Sequence, residues 1–156
     1  MKKVLDILSN TLQTIAGTLF LFIFIINVAG IIIRTFLDFS LLWVADVNTI
    51  SIAWMLALGM SVAIYKKGHI TIEFIRDKLP KNVKKVVEIV ITLIIIAFFI
   101  SLIFSGWKTV IMKMRLSFVV IAIPTAYAFM ALPAFAFFSA VFMTYRLTNI
   151  TLSKEE

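Results

Sequence analysis

Four long runs without a charged residue divide this sequence, and they constrain its fold more than any other feature. The runs cover residues 7–33, 47–65, 89–107 and 116–145. Each reaches the roughly 18 apolar residues from which a transmembrane helix is predicted. Apolar residues make up 62 % of the 156-residue chain, well above the roughly 45–50 % of soluble domains. The sequence therefore predicts an all-α integral membrane protein and excludes a soluble enzyme, a secreted module and a disordered tail.

We expect one membrane domain over residues 1–156, with transmembrane helices at about 12–36, 46–66, 84–112 and 124–146. The first charge-free run is 27 residues long, beyond the roughly 7–15 residues of a signal-peptide core, and no small-residue cleavage site follows it. The first helix is therefore predicted to be retained in the protein.

The fourth run is too long for one untilted span, and its prolines indicate how it divides. Proline is favoured at the first position of a helix, so the fourth helix is predicted to begin near Pro124. Residues 116–123 then form an apolar connection, which must lie at the membrane interface or against protein because its backbone cannot face lipid unsatisfied. Pro133 removes one backbone hydrogen bond and should kink the helix.

The polar connection between the second and third spans has the pattern of a membrane surface segment. Apolar and charged residues alternate over about 70–79, which predicts a short interfacial amphipathic helix that ends at Pro80. A solvated loop is the alternative. The candidates for contact with membrane lipids are Lys66, Lys67, His69, Lys84, Lys85 and Trp107.

Basic residues predict the orientation of the chain. Eleven Lys and Arg residues lie on the side of both termini, and four lie on the other side. The positive-inside rule then places the N- and C-termini in the cytoplasm. The net charge of +7 fits anionic lipid heads better than nucleic acid, because the basic residues cluster at the ends of the apolar runs.

The absence of certain residue types from the predicted spans argues against several functions. No Asp, Glu, Lys, Arg or His lies deep inside a predicted span, although ion and proton pathways usually need such residues. The chain has no cysteine and one histidine, and its few polar residues within the spans, such as Asn27, form no catalytic constellation. We expect neither an enzyme nor a bound cofactor or metal.

Three residues near the second span are candidates for contact with a partner subunit. Trp43 and Asp46 are three residues apart and share a helical face, and Arg34 ends the first span. Asp46 is predicted to pair with Arg34 or with a basic residue of another chain. Trp43 is expected at the level of the lipid headgroups. An ordinary solvated charge beside an interfacial tryptophan is the alternative.

Two more candidates lie within the second span. Trp54 is in mid-span and needs either lipid or a partner for its indole ring. Gly59 lies near a stripe of small residues, Ala53, Ala57 and Ser61, and such residues let helix backbones approach closely in lipid. Chance occurrence in an alanine-containing helix is the alternative.

Several short motifs follow one another at characteristic spacing. They are Arg34, Trp43-Val-Ala-Asp46, Trp54-x4-Gly59, Lys67-Gly68-His69-Ile70-Thr-Ile, Pro80, Ile123-Pro124 and Leu132-Pro133. With four spans, this order resembles the small membrane subunit (DctQ-like) of tripartite ATP-independent periplasmic (TRAP) transporters over essentially the whole chain. The family often has Glu where Asp46 stands, commonly after another acid, whereas this chain has Ala45.

The resemblance implies a function and partners. The expected partners are a large elevator-type membrane subunit, which carries the substrate and sodium sites, and a periplasmic substrate-binding protein, which we expect to contact the 34–46 connection. The chain would be a static, non-catalytic scaffold in the bacterial inner membrane, within an importer of organic acids such as C4-dicarboxylates or sialic acid.

Other classes of membrane protein remain as alternatives. A stand-alone four-helix carrier would need a membrane-embedded acid, which the spans lack. A membrane anchor of a redox enzyme would have to function without haem ligands. An accessory subunit or chaperone of another inner-membrane complex is the third alternative.

Overall fold

The apolar runs form long helices. The computed structural model of the chain describes residues 2–67 and 81–152. The helices are α1 (Lys2–Leu37), α2 (Trp43–Lys67), α3 (Lys81–Lys113), α4 (Ala126–Phe129) and α5 (Ala131–Leu152). Four segments are long and apolar enough to cross a membrane, and α4 and α5 together make the fourth. The predicted all-α membrane fold is confirmed, whereas the interfacial helix predicted over 70–79 lies outside the described residues.

Helix α1 is longer than the predicted span of 12–36, because its first turns have a packing face of their own. Leu5, Ser9, Leu12 and Ala16 recur once per helical turn and are all buried. At a rise of about 1.5 Å per residue the helix is roughly 54 Å long, longer than the roughly 30 Å hydrocarbon core of a bilayer. It therefore tilts or extends beyond the core.

The fourth span begins at Ala126, two residues after the proline near which its start is predicted, and it is interrupted. Pro124 does not start the helix, because it forms an isolated antiparallel bridge with Ser117, and α4 begins two residues later. The interruption between α4 and α5 is at Met130. Pro133 explains its place, since proline has no N–H to donate to the carbonyl group four residues earlier.

The helices lie side by side in the order α1, α2, α5, α3, with α4 beside α2 and α3. One apolar cluster joins α1, α2 and α5, and its buried members are Leu5, Leu12, Ala16, Leu58, Val62 and Phe142. A second cluster joins α3 to α5, and its buried members are Phe99, Ala136 and Met143. Helices α2 and α5 therefore form the middle of the row, and α1 and α3 form its two edges.

A glycine allows α3 and α5 to come close together. A Cβ atom at Gly106 would lie 3.1 Å from Cδ of Pro133, and both residues are buried. Helix packing in lipid depends on such small residues, because lipid tails provide no hydrophobic force that drives helices together. The contact fixes one edge of the row against its middle.

Candidate functional site

The polar side chains that connect the helices lie mainly towards the two ends of the row. We call the end that holds Lys2 and Leu152 the terminal end, and the end that holds the 38–42 and 114–125 connections the loop end. Asp46 is at the loop end, in the first turn of α2. One of its carboxylate oxygens accepts hydrogen bonds from the backbone N–H groups of Val120 (3.0 Å) and Ile121 (3.3 Å). Asp46 therefore connects α2 to the segment between α3 and α4.

That segment forms a tight turn over residues 116–125. The N–H of Phe118 donates to the carbonyl oxygen of Ile123 at 2.9 Å, and the N–H of Thr125 donates to that of Leu116 at 2.8 Å. The backbone reverses through Ala122, whose φ is 52°, a conformation uncommon for a residue other than glycine. Val119 at the tip is 96 % exposed, so the turn presents an apolar tip at the loop end.

The predicted pairing of Asp46 with Arg34 is not present. Among the side chains that the structure describes, the ion pair joins Arg146 to Glu88, and Arg34 is exposed at the end of α1. The carboxylate instead finds its donors in the backbone of the 116–125 turn. Trp43 begins α2 and is 40 % exposed. Pairing of Asp46 with a basic residue of another chain stays a prediction.

Trp54 finds a hydrogen-bond partner inside the chain. Its indole Nε1 donates to the carbonyl oxygen of Tyr127 in α4 at 3.0 Å, next to the interruption of the fourth span. The ring packs against the cluster that joins α1, α2 and α5. The position in mid-span indicated the need for a partner, but the sequence did not indicate which carbonyl group would meet it.

The small residues of α2 divide between two faces. Ala57 and Ser61 are buried, and the hydroxyl of Ser61 lies 3.4 Å from the carbonyl oxygen of Phe135 in α5. That part of the stripe is therefore used within the chain. Gly59 is different, because a Cβ atom there would meet nothing within 4 Å. Its surface is open to lipid or to another protein.

A pair of amides that the sequence did not reveal joins α1 to α2. Nδ2 of Asn48 donates to Oδ1 of Asn27 at 2.9 Å, and Nδ2 of Asn27 donates to Oδ1 of Asn48 at 3.1 Å. Asn27 also donates to the carbonyl oxygen of Ile23. Polar side chains that bond across helices stabilise packing in lipid, and this pair fixes the register of α1 against α2.

Contacts between side chains also connect the helices at the terminal end. The hydroxyl of Tyr65 in α2 donates to Oδ1 of Asp6 in α1 at 2.6 Å. Arg146 of α5 pairs with Glu88 of α3 at 3.1 Å, and both side chains are largely buried. Polar contacts at this end thus hold both pairs of neighbouring outer and inner helices, α1 with α2 and α3 with α5.

Of the residues predicted to contact lipid, two are described with their side chains. Lys66 is exposed at the end of α2 and hydrogen-bonds Gln13 of α1. Trp107 of α3 is 55 % exposed. His69 and the side chains of Lys67, Lys84 and Lys85 lie outside the described part of the structure.

The largest unoccupied surfaces belong to the two edge helices. None of the residues in the most apolar 18-residue stretch of α1 is buried, and 11 % are buried in that of α3. The corresponding shares are 28 % for α2 and 44 % for the fourth span. Large apolar side chains cover these faces, among them Phe20, Phe24 and Ile31 of α1 and Ile94, Phe98 and Phe104 of α3.

The described residues contain no group of three or more His, Cys, Asp or Glu that could hold a metal ion. The polar contacts described above instead join neighbouring helices, or a helix and a turn, through one or two hydrogen bonds each. Such contacts hold the helices in place and leave their apolar faces exposed. Exposed apolar faces of this kind can bind lipid or another membrane protein.

Comparison with known proteins agrees with the motifs in the sequence. The family model described as "Tripartite ATP-independent periplasmic transporters, DctQ component" matches residues 23–152. The chain is also 29 % identical, over 97 residues, to the sialic acid TRAP transporter permease protein SiaT of Haemophilus influenzae (strain 86-028NP). That match covers 62 % of this chain and 16 % of the relative, so the chain spans a small part of the relative's length.

Proposed function

The chain belongs to the DctQ family of TRAP transporter components, and from this membership we propose that it is the small, non-catalytic permease subunit that supports a large elevator-type subunit. The complex would import an organic acid, delivered by a periplasmic binding protein and driven by a sodium gradient. The chain would lie in the bacterial inner membrane with both termini in the cytoplasm.

The exposed apolar faces of the edge helices carry this proposal. The most apolar stretch of α1 buries no residue within the chain, although α1 is 36 residues long. A four-helix protein that worked alone would be expected to close into a bundle around an interior site. A row of helices with open edges is better suited to extend the surface of a larger membrane protein.

The distribution of charge supports a scaffold rather than a carrier. Pathways for coupling ions and anionic substrates usually need charged residues within the membrane, and the four charge-free runs provide none. The residues that could be charged instead hold the ends of the helices, as Asp46 does at the loop end and Glu88 and Arg146 do at the terminal end. Substrate and sodium sites would then belong to the large subunit.

A scaffold must stay fixed while its partner moves, and three features of this chain favour rigidity. They are the amide pair of Asn27 and Asn48, the close contact of Gly106 with Pro133, and the attachment of the 116–125 turn to Asp46. Gly59 offers an unfilled position at which a partner helix could approach the backbone of α2.

The substrate class is proposed from the relative. The matched protein is named for sialic acid, which is a carboxylate, and the family resemblance also includes C4-dicarboxylates. Both are organic acids, so we propose an organic-acid importer, with sialic acid as the first substrate to test.

Co-purification tests the proposed association. The chain, carrying an affinity tag, would be expressed with the large permease subunit of its own transporter and purified in mild detergent. The proposal predicts co-elution at a one-to-one ratio, and weaker co-elution of Gly59→Leu, a position where an added Cβ atom meets nothing within 4 Å in the chain itself. Gly30→Leu on α1, where the structure also leaves space, is the matched comparison. Elution of the wild-type chain without the large subunit would contradict the proposal.

A further inference from the structure

An apolar groove opens at the terminal end, between the first turns of α1 and one face of α5. Val4 and Leu5 form one wall, and the face of α5 from Phe137 to Thr148 forms the other. The hydroxyl of Thr144 donates to the carbonyl oxygen of Ala140 in its own helix at 2.8 Å, so the threonine presents mainly its methyl group. Phe137 and Val4 are 55 % and 67 % exposed, and the groove is therefore open towards the surrounding membrane.

The dimensions of the groove fit one acyl chain. Its volume is about 520 Å³. Residues 137–148 rise by roughly 16 Å along the axis of α5, about half of the roughly 30 Å hydrocarbon core, which is the depth of one leaflet. The groove is thus long enough to take one acyl chain along α5.

The charges at the mouth of the groove indicate which lipid it takes. Lys2 and Lys3 directly precede Val4 and are exposed. Of the acidic groups that the structure describes at this end, Asp6 accepts the hydrogen bond of Tyr65 and Glu88 is paired with Arg146. An apolar wall does not favour one acyl chain over another in a bilayer, so selectivity must come from the headgroup, and basic residues attract anionic ones.

We propose that this groove binds one anionic phospholipid of the leaflet at the terminal end. The acyl chain lies along α5 from Thr148 towards Phe137, and the phosphate lies beside Lys2 and Lys3. The bound lipid fills the space that α1 and α5 leave between them. The proposal does not rest on transport, since it concerns contacts within this chain and the membrane around it.

Photolabelling in nanodiscs tests the proposal. The full chain would be placed in phosphatidylcholine nanodiscs that contain a small fraction of phosphatidylglycerol with a diazirine on its acyl chain. A parallel sample would contain the same fraction of diazirine-labelled phosphatidylcholine. Labelled peptides would be mapped by mass spectrometry. We expect labelling of residues 137–148 to be several-fold stronger with phosphatidylglycerol, and the preference to disappear in the Lys2→Gln, Lys3→Gln double variant.

A variant that fills the groove separates a site from general contact with lipid. Thr144→Phe should reduce labelling of 137–148 several-fold, and an unchanged thermal unfolding temperature in detergent would show that it folds. Thr18→Phe is the matched control, since Thr18 is also exposed and bonded to its own helix, and it should leave the labelling unchanged. Equal labelling by the two lipids, or undiminished labelling of Thr144→Phe, would overturn the proposal. Protection of the groove by a co-purified protein would overturn it as well.

Discussion

The carboxylate of Asp46 accepts a hydrogen bond from the backbone N–H of Val120 at 3.0 Å, although 74 residues separate them in the sequence. A second N–H, that of Ile121, donates to the same oxygen. In an apolar turn at a membrane interface these N–H groups have few other acceptors, and an unsatisfied backbone group there is costly. The acid at the start of α2 thus stabilises a connection between two other helices.

Replacement of Asp46 by alanine should loosen the 116–125 turn. Hydrogen bonds to a charged group contribute about 1.5–3 kcal/mol, and the lower end of this range applies because Asp46 is only partly buried. A loss of about 1.4 kcal/mol corresponds to a tenfold change in an equilibrium constant. Hydrogen exchange of the Val120 and Ile121 amides should therefore become about tenfold faster. Asp38→Asn, in the exposed 38–42 connection, is the control, and equal exchange in Asp46→Ala and the wild type would contradict this role.

Two glycine substitutions should have opposite effects on stability. Gly106→Ala places a methyl group 3.1 Å from Pro133. Such overpacking lowers the free energy of unfolding by about 1–3 kcal/mol. The higher helix propensity of alanine restores about 1 kcal/mol of this loss. At Gly59 an added methyl group meets nothing within 4 Å, so Gly59→Ala should keep the full stabilisation from the higher helix propensity of alanine. Thermal unfolding in detergent should show a lower midpoint for Gly106→Ala and an equal or higher one for Gly59→Ala. A midpoint for Gly106→Ala as high as that for Gly59→Ala would mean that α3 and α5 are not held as close as described.

The two residues of the ion pair at the terminal end should contribute to stability jointly and not independently. Arg146 and Glu88 are 14 % and 16 % exposed, so removal of either partner leaves a poorly solvated charge. Arg146→Ala and Glu88→Ala should each destabilise the chain, and the double variant should lose less than their sum by about 0.5–3 kcal/mol. Chemical unfolding of the four proteins measures this coupling. Strict additivity would show that the two side chains act independently.

The orientation of the chain can be tested without removal of any native cysteine, because the sequence has none. Two single-cysteine variants serve as probes. Ser40→Cys places a thiol in the connection between α1 and α2, and Asn149→Cys places one near the end of α5. A membrane-impermeant maleimide added to cells with a permeabilised outer membrane should label Ser40→Cys alone, because the positive-inside rule places the termini in the cytoplasm. Labelling of Asn149→Cys alone would contradict this orientation and would place the termini on the periplasmic side.

The sequence predicted the four spans because a lipid-exposed helix must be apolar over a fixed length, and charges mark its ends. The positions of two charged residues in the sequence also indicate the ion pair. Glu88 directly precedes the third charge-free run and Arg146 directly follows the fourth, so the predicted topology places these opposite charges on one side of the membrane.

Other contacts could not be predicted from the sequence. The donors to Asp46 are backbone N–H groups, which every residue except proline possesses, so no residue type identifies Val120. The acceptor of the Trp54 indole is likewise a backbone carbonyl, whose position depends on the interruption at Met130. The start of the fourth span, two residues after Pro124, could not be predicted more closely because proline is as well suited to a turn as to a helix start.

Uptake by reconstituted liposomes tests the scaffold role most directly. The large subunit would be reconstituted with and without this chain, in the presence of a sodium gradient, the binding protein and radiolabelled sialic acid, with C4-dicarboxylates measured in parallel. The account predicts uptake only when both membrane chains are present. Equal uptake by the large subunit alone, at the same amount of reconstituted protein, would contradict an obligatory scaffold, and uptake by this chain alone would contradict the whole assignment of roles.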